Sequence, residues 1–94
     1  MPTIDLEVLN ASGLHARPAT LFVETAASFQ SRITVENLDR GSAPVDAKSI
    51  LFLLTIGVLR GHRIRVAAEG PDADAALEAL ATVVREGLGE PAAS

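Results

Sequence analysis

The sequence predicts one α+β domain with the element order β-α-β-β-α-β-α, in which the helices cover the same face of an antiparallel sheet. Two observations predict it. Several short stretches alternate apolar and polar residues, as strands with one face in water do, and longer stretches place apolar residues at helical spacing. Ninety-four residues, 48% of them hydrophobic, suffice for one small core. We assign residues 1–90 to the domain and 91–94 to a short C-terminal tail.

The first strand and the first helix follow directly from this patterning. Apolar side chains alternate with polar ones in residues 3–8, which is the pattern of a half-exposed strand. From Ala16 the period becomes helical and continues to about Ser28 or Phe29. Pro18 is compatible with this helix because the first turn needs no N–H bond there. The apolar residues at helical spacing are Ala19, Phe22, Val23 and Ala26.

Two further strands are predicted before the middle of the chain. Ile33 and Val35 alternate with polar neighbours and predict the second strand. Residues 39–42, Asp-Arg-Gly-Ser, are typical of a turn. The short segment that follows contains Pro44, which favours an edge position for the third strand because proline lacks an N–H for pairing.

The second half of the chain predicts a helix, a strand and a helix. Asp46 has the properties of an N-cap for a short helix over residues 47–54. Alternation over residues 63–68 predicts the fourth strand. Pro71 then stands at the first helical position of the third helix. The apolar residues of that helix recur at helical spacing as Ala73, Ala76, Leu77, Leu80 and Val84.

Composition excludes several classes of function. The chain has no cysteine, which rules out disulfides and thiolate sites and fits a reducing compartment. Twelve acidic against eight basic residues give a net charge of −4, which disfavours nucleic-acid binding. The first residues lack the basic and apolar regions of a signal peptide, and the longest apolar run, residues 50–59, is too short to span a bilayer. We therefore expect a cytoplasmic protein without membrane insertion.

The strand-to-helix junction at residues 12–19, Ser-Gly-Leu-His-Ala-Arg-Pro-Ala, is the clearest candidate site. His15 stands just before the predicted helix. The first N–H groups of a helix lack partners and carry partial positive charge, so this junction suits an anion, with phosphate the obvious candidate. A lone histidine near a helix start is more often a cap or a solvated side chain, and Arg17 taken singly is an ordinary surface charge.

Two motifs in register make the chain resemble the histidine-containing phosphocarrier protein family, HPr, of the bacterial sugar phosphotransferase system. These are residues 12–19 and residues 47–50, Ala-Lys-Ser-Ile, followed by Gly57. The resemblance covers essentially the whole chain. It implies an open-faced β-sandwich, a four-stranded antiparallel sheet in the order 1-4-2-3 with three helices on one face. The segment before the second motif is about three residues longer than in the usual family pattern.

The resemblance assigns roles to the junction residues. It implies that His15 is phosphorylated at Nδ1 by phosphorylated enzyme I and passes the group to a sugar-specific enzyme IIA. Arg17 would stabilise the phosphate, and Ser12, Gly13 and Ala16 would belong to the phosphate-binding loop. The protein would be a carrier that acts with partner enzymes, without cofactor or metal.

The second motif implies regulation and docking. Ser49 aligns with the serine that an ATP-dependent HPr kinase modifies in Gram-positive-type members, although a helix-start serine that bonds to backbone is the default interpretation. Most of the apolar residues 50–54 are expected in the core. By resemblance some are exposed beside His15, rimmed by Arg17 and Lys48. The implied partner-docking residues are Thr20, Lys48, Ile50, Leu51 and Leu54.

Other functions remain open at this point. The Ser49-phosphorylated form could serve mainly as a carbon-catabolite corepressor that binds a transcriptional regulator, and nitrogen or dihydroxyacetone branches use similar carriers. A conventional enzyme using His15 as acid or base lacks a convincing partner residue in the motif. We expect a monomer, and we interpret His62 as a solvated strand-end residue.

Overall fold

The computed structural model describes residues 1–90 and confirms the predicted order of elements; the predicted tail, residues 91–94, lies outside the described residues. No described helix is long and apolar enough to cross a membrane. The elements are β1 (Thr3–Glu7), α1 (Ala16–Ala27), β2 (Arg32–Asn37), β3 (Val45–Asp46), α2 (Ile50–Thr55), β4 (Arg63–Glu69) and α3 (Ala73–Arg85).

The four strands form one antiparallel sheet in the order β1-β4-β2-β3. Val66 of β4 pairs with Ile4 of β1 on one side and with Val35 of β2 on the other, so apolar side chains of all three strands lie on one face. β3 has only two residues and lies at the edge. The strand order that the family resemblance implies is confirmed.

The core lies between the sheet and the helices. Along β4 buried and exposed residues alternate, so the apolar residues face the helices and the charged ones face water. Phe22 of α1 is the largest fully buried side chain. On the open face Arg65 forms a two-pronged pair with the carboxylate of Asp5, at 2.8 Å and 3.0 Å. Cross-strand pairs of opposite charge stabilise such an exposed face.

The start of α2 differs from the prediction. Asp46 belongs to β3, and its carboxylate accepts from the N–H of Lys48 at 2.9 Å rather than capping a helix. Ala47 is buried and donates its N–H to a carbonyl of β2, which extends strand-like pairing past Asp46. The N-cap is Ser49, whose Oγ accepts from the N–H of Phe52 at 3.3 Å. Tertiary pairing therefore overrides the local capping preference.

The start of α3 also shifts, by two residues. Pro71 precedes the helix, and the N-cap residue is Asp72. The Asp72 carboxylate makes no capping bond; it accepts from the N–H groups of Gln30 and Ser31, each at 2.9 Å, and from the Ser31 hydroxyl. These bonds join the start of β2 to the start of α3 and hold the pKa of Asp72 below its usual range, chiefly through the Ser31 hydroxyl.

Candidate functional site

His15 is the N-cap residue of α1, and its half-buried side chain makes no capping hydrogen bond. Its backbone is extended, with φ −130° and ψ 156°, as is usual for the residue before a helix. The imidazole is thus not used for the commonest structural role at this position. The first N–H groups of α1 likewise lack a side-chain acceptor, so the helix start is open to an anion.

The loop before His15 is fixed by hydrogen bonds. The N–H of Gly13 donates to the carbonyl of Asn10 at 3.1 Å, and Asn10 Nδ2 donates to the carbonyl of Gly13 at 2.9 Å. The next residue, Leu14, is fully buried and donates its N–H to the carbonyl of Val58 at 3.0 Å. His15 therefore follows an anchored turn, which fixes the position of its backbone and the direction of its Cα–Cβ bond.

Ala16 has a left-handed backbone, with φ 52°. In a residue with a Cβ this conformation costs about 1 kcal/mol or more. It persists because the chain is anchored on both sides, by buried Leu14 and by buried Pro18. Backbone strain of this kind concentrates at ligand-binding and catalytic sites, so it marks this junction as more than a connection.

Arg17 adds an exposed positive charge to the junction. Its side chain is exposed, and no ion pair within residues 1–90 engages it. In the same turn Thr20 Oγ1 donates back to the carbonyl of Ala16 at 3.3 Å and so stays on the surface of α1. An exposed, unpaired guanidinium next to a helix N-terminus can form charge-assisted bonds to phosphate oxygens.

The two histidines of the chain have different surroundings. His62 Nδ1 accepts from the N–H of Leu59 at 3.0 Å and lies 3.1 Å from the amide nitrogen of buried Asn37. His62 stands at the start of β4 as expected and is half-exposed, but its ring also closes the turn before that strand, which the sequence did not predict. Its Nδ1 lone pair is occupied, whereas the His15 side chain makes no capping hydrogen bond.

Helix α2 runs antiparallel to α1. At its start, Lys48 Nζ donates to the carbonyl of Phe29, just beyond the C-terminal end of α1, at 2.7 Å. At its far end, Val58 bonds to Leu14 beside His15. Since the 12 residues of α1 span roughly 18 Å, the structure places Lys48 at the opposite end of α1 from His15, and the expected Lys48 rim beside His15 is not formed.

The exposed face of α2 is apolar. Of residues 50–54 only Leu53 is buried, so the expectation that most of them lie in the core is wrong. The helix has six residues, and only the side carrying Leu53 faces the core. Because the run is apolar on every side, periodicity could not separate the two faces. The exposed residues are Ile50, Leu51, Phe52 and Leu54, between 41% and 70% accessible.

Sequence reasoning missed two contributors to this region. Phe52 is 53% exposed on α2 but was not among the expected docking residues. Glu90 is the second missed residue. Its carboxylate reaches the loop before α1, where Oε2 accepts from Ser12 Oγ at 2.8 Å. Hydrogen bonds from the Asn10 amide first, and then from the Ser12 N–H and hydroxyl, hold the pKa of Glu90 below its usual range. No local pattern signals a contact between residues 78 positions apart.

The comparisons with known proteins agree with this geometry. Residues 2–86 match the family model whose description is "PTS HPr component phosphorylation site", where PTS stands for the phosphotransferase system. The multiphosphoryl transfer protein of Vibrio cholerae is 44% identical over 88 residues, which cover 94% of this chain and 22% of that protein. The chain thus spans less than a quarter of the length of that relative.

Two solved structures share the fold. HPr-C-His from Thermoanaerobacter tengcongensis is 41% identical with a TM-score of 0.90, and the match covers 97% of this chain and 99% of that one. The phosphocarrier protein HPr from Bacillus anthracis is 38% identical with a TM-score of 0.82, over 88% of this chain and 95% of that one. The fold and these comparisons indicate the class of protein, the phosphocarriers of the phosphotransferase system. The chain belongs to the HPr family.

Proposed function

We propose that His15 accepts a phosphoryl group at Nδ1 from phosphorylated enzyme I and passes it to an enzyme IIA. One observation carries the proposal: the His15 imidazole stands at the start of α1 without a capping bond, after a turn that hydrogen bonds hold in place. The second histidine has its Nδ1 engaged in the turn at Leu59.

The transfer step follows from the groups at the junction. The Nδ1 lone pair of neutral His15 attacks phosphorus, a nitrogen–phosphorus bond forms, and the bond from phosphorus to its donor breaks. The charge on the phosphoryl oxygens is met by the open N–H groups of α1 and by Arg17. Pro18 contributes no N–H, which limits the number of donors. A few N–H donors and one exposed guanidinium bind the phosphoryl group weakly enough for it to be passed on, as a carrier requires.

Partner docking is proposed for the surface of α1 and α2 that adjoins this junction. The exposed face of α2 carries four large apolar side chains next to one another, and contiguous exposed apolar patches of this kind mark interaction sites. Its distal end lies beside the His15 loop through the Leu14 to Val58 bond. A partner that covers both would exclude water from the transferring group. The proposed docking residues are Thr20, Ile50, Leu51 and Leu54, with Phe52 added from the structure.

Regulation at Ser49 is a second proposal. Ser49 is half-exposed at the start of α2, and its Oγ serves as the cap acceptor for the N–H of Phe52. A phosphate there keeps an acceptor for that N–H while adding charge to the edge of the apolar face. An HPr kinase and a transcriptional regulator are the partners this implies. Incubation with such a kinase and ATP, followed by mass spectrometry of the peptide containing Ser49, tests the site.

The loading step is tested with enzyme I and labelled phosphoenolpyruvate. We expect acid-labile label on the wild-type protein, none on His15→Ala, and wild-type labelling of His62→Gln once folding is verified. Gln is chosen for His62 because its amide oxygen can keep the hydrogen bond from Leu59. Label that persists in His15→Ala would overturn the assignment of the acceptor.

A further inference from the structure

We propose that Glu90 is a positioning residue for the phosphoryl acceptor, because its carboxylate clamps the loop that carries His15. The inference rests on the proposed function of His15 and extends it to a residue that is distant along the chain but lies beside the His15 loop. Glu90 does not contact the imidazole in this proposal; it acts through Asn10 and Ser12.

The clamp consists of three hydrogen bonds to one side chain. Glu90 Oε1 accepts from Asn10 Nδ2 at 2.8 Å and from the Ser12 N–H at 3.0 Å, and Oε2 accepts from Ser12 Oγ at 2.8 Å. Both carboxylate oxygens are therefore used. These donors keep the carboxylate ionised, and bonds to a charged acceptor are stronger than neutral ones. The loop thus receives its tightest side-chain contact from outside the local chain.

The backbone after α3 adopts an unfavourable conformation that places the Glu90 side chain beside the loop. Gly87, Leu88 and Gly89 all have positive φ, at 89°, 53° and 79°. Leu88 has a Cβ and is strained in this region, yet it is buried and its N–H donates to the carbonyl of Val83 at 3.0 Å. The buried leucine anchors the reversal of the chain, and Glu90 follows two residues later beside the loop.

Asn10 connects the Glu90 carboxylate to the turn before His15. Its Nδ2 donates both to Glu90 and to the carbonyl of Gly13, so two acceptors fix which way the amide points. As a result Asn10 Oδ1 is buried without a partner among the described residues. An unpaired buried oxygen is unfavourable, and such exceptions call for a functional reason. Here the amide acts as a bridge from Glu90 to the turn on which His15 stands.

Removing the Glu90 carboxylate leaves the loop donors without their acceptor. The turn is then free to sample other conformations, and His15 spends less time in the orientation that reacts. Enzyme I would bind the α1 and α2 surface as before, because Glu90 lies outside the proposed docking residues. The loss is therefore expected in the maximal rate of phosphorylation and not in the concentration dependence.

The test measures phosphorylation by enzyme I and phosphoenolpyruvate at varied carrier concentration. We expect Glu90→Ala to lower the maximal rate roughly tenfold with KM changed less than about twofold. Glu90→Gln is expected to recover most of the rate, since its amide oxygen accepts from Ser12 and Asn10 and its NH₂ group can donate to Ser12 Oγ. Glu86→Ala is the matched control, because Glu86 is an exposed carboxylate at the C-cap of α3, and it should keep the wild-type rate.

Hydrogen exchange of the Ser12 amide gives a readout that does not depend on phosphorylation. Exchange should be faster in Glu90→Ala than in wild type and unchanged in Glu86→Ala. Glu90→Asp, shorter by one methylene, should behave like Glu90→Ala and serves if the alanine variant fails to fold. Wild-type rate together with wild-type Ser12 protection in these variants would overturn the inference. A wild-type protein that takes no phosphoryl group would instead overturn the proposed function.

Discussion

The N–H of Leu14 donates to the carbonyl of Val58 at 3.0 Å, and this bond joins the loop before His15 to the segment after α2. Between them there is no spare room, since a Cβ on Gly13 would lie 2.3 Å from the same Val58 oxygen. His15, the proposed nucleophile, and the exposed apolar face of α2 are therefore held at a fixed separation. A partner that recognises one also locates the other.

Gly13→Ala is expected to destabilise the domain by roughly 2–4 kcal/mol. The added methyl meets a backbone oxygen, and Gly13 has φ +61°, a region unfavourable for residues with a Cβ. Urea unfolding followed by circular dichroism measures the loss. Gly41→Ala is the control, with a similar φ of +63° but open space around the methyl. Equal losses in both variants would show that contact with Val58 carries no weight.

Acid should weaken the fold partly through Asp72. Its folded-state pKa is lowered from the ordinary 3.8 by the Ser31 hydroxyl and the N–H groups at the start of β2. A carboxylate with a lowered pKa stabilises the fold above its unfolded value, and this contribution is lost as pH falls below about 3.8 toward the folded-state value. Unfolding free energy measured from pH 5 downward should therefore decline.

Asp72→Asn separates this contribution from that of the other acids. The variant should melt about 5 °C lower near neutral pH, since it loses bonds to the charged acceptor. Its stability should also decline less steeply in acid than that of wild type. If the unfolding free energy declined equally steeply in acid for the two proteins, Asp72 would not be a source of the pH dependence.

Ser49 should act as a helix cap before any modification. Ser49→Ala removes the acceptor for the Phe52 N–H and is expected to cost about 1 kcal/mol. Ser49→Asp should retain most of the stability, because aspartate is an equally good N-cap. Chemical denaturation of the three proteins gives the comparison. An alanine variant as stable as wild type would exclude the capping role seen here.

Docking through α2 predicts a binding defect without a folding defect. Leu51 is 70% exposed, so Leu51→Ser should leave the melting temperature nearly unchanged. We expect it to raise the KM of enzyme I for this carrier roughly tenfold, by loss of a buried apolar contact in the complex. Leu9→Ser, at a site 57% exposed beyond the end of β1, is the control and should retain the wild-type KM. A matching rise for Leu9→Ser would argue against a specific surface on α2.

How far the sequence predicts the structure differs from element to element. β4 was predictable because Ile64 and Val66 alternate with charged residues and only one face can be buried. The sequence predicts that α2 begins after Asp46, which is wrong. The capping preference of Asp46 is a local signal, whereas the pairing of buried Ala47 with β2 is a tertiary contact that the local sequence does not indicate. Residues 50–54 are apolar all round, so no pattern indicates which of them face water.

In the candidate site, too, local motifs were predictable from the sequence and tertiary contacts were not. The position of His15 at the start of α1 was predictable because its motif is contiguous and the period changes there from strand to helix. The second contact of His62 Nδ1, with the Asn37 amide, joins residues that are distant in the chain. The contact between Glu90 and Ser12 depends on the reversal of the chain after α3. Contacts set by tertiary approach leave no periodic signal in a single sequence.

Phosphoryl relay through His15 is tested most directly by NMR of the imidazole nitrogens. The protein, labelled with ¹⁵N in its histidines, is loaded by enzyme I and phosphoenolpyruvate, freed of both, and then mixed with an enzyme IIA. The account predicts a nitrogen–phosphorus coupling at Nδ1 of His15 only, which disappears as the enzyme IIA becomes phosphorylated. Coupling at His62, or a His15 phosphoryl group that no enzyme IIA removes, would contradict it.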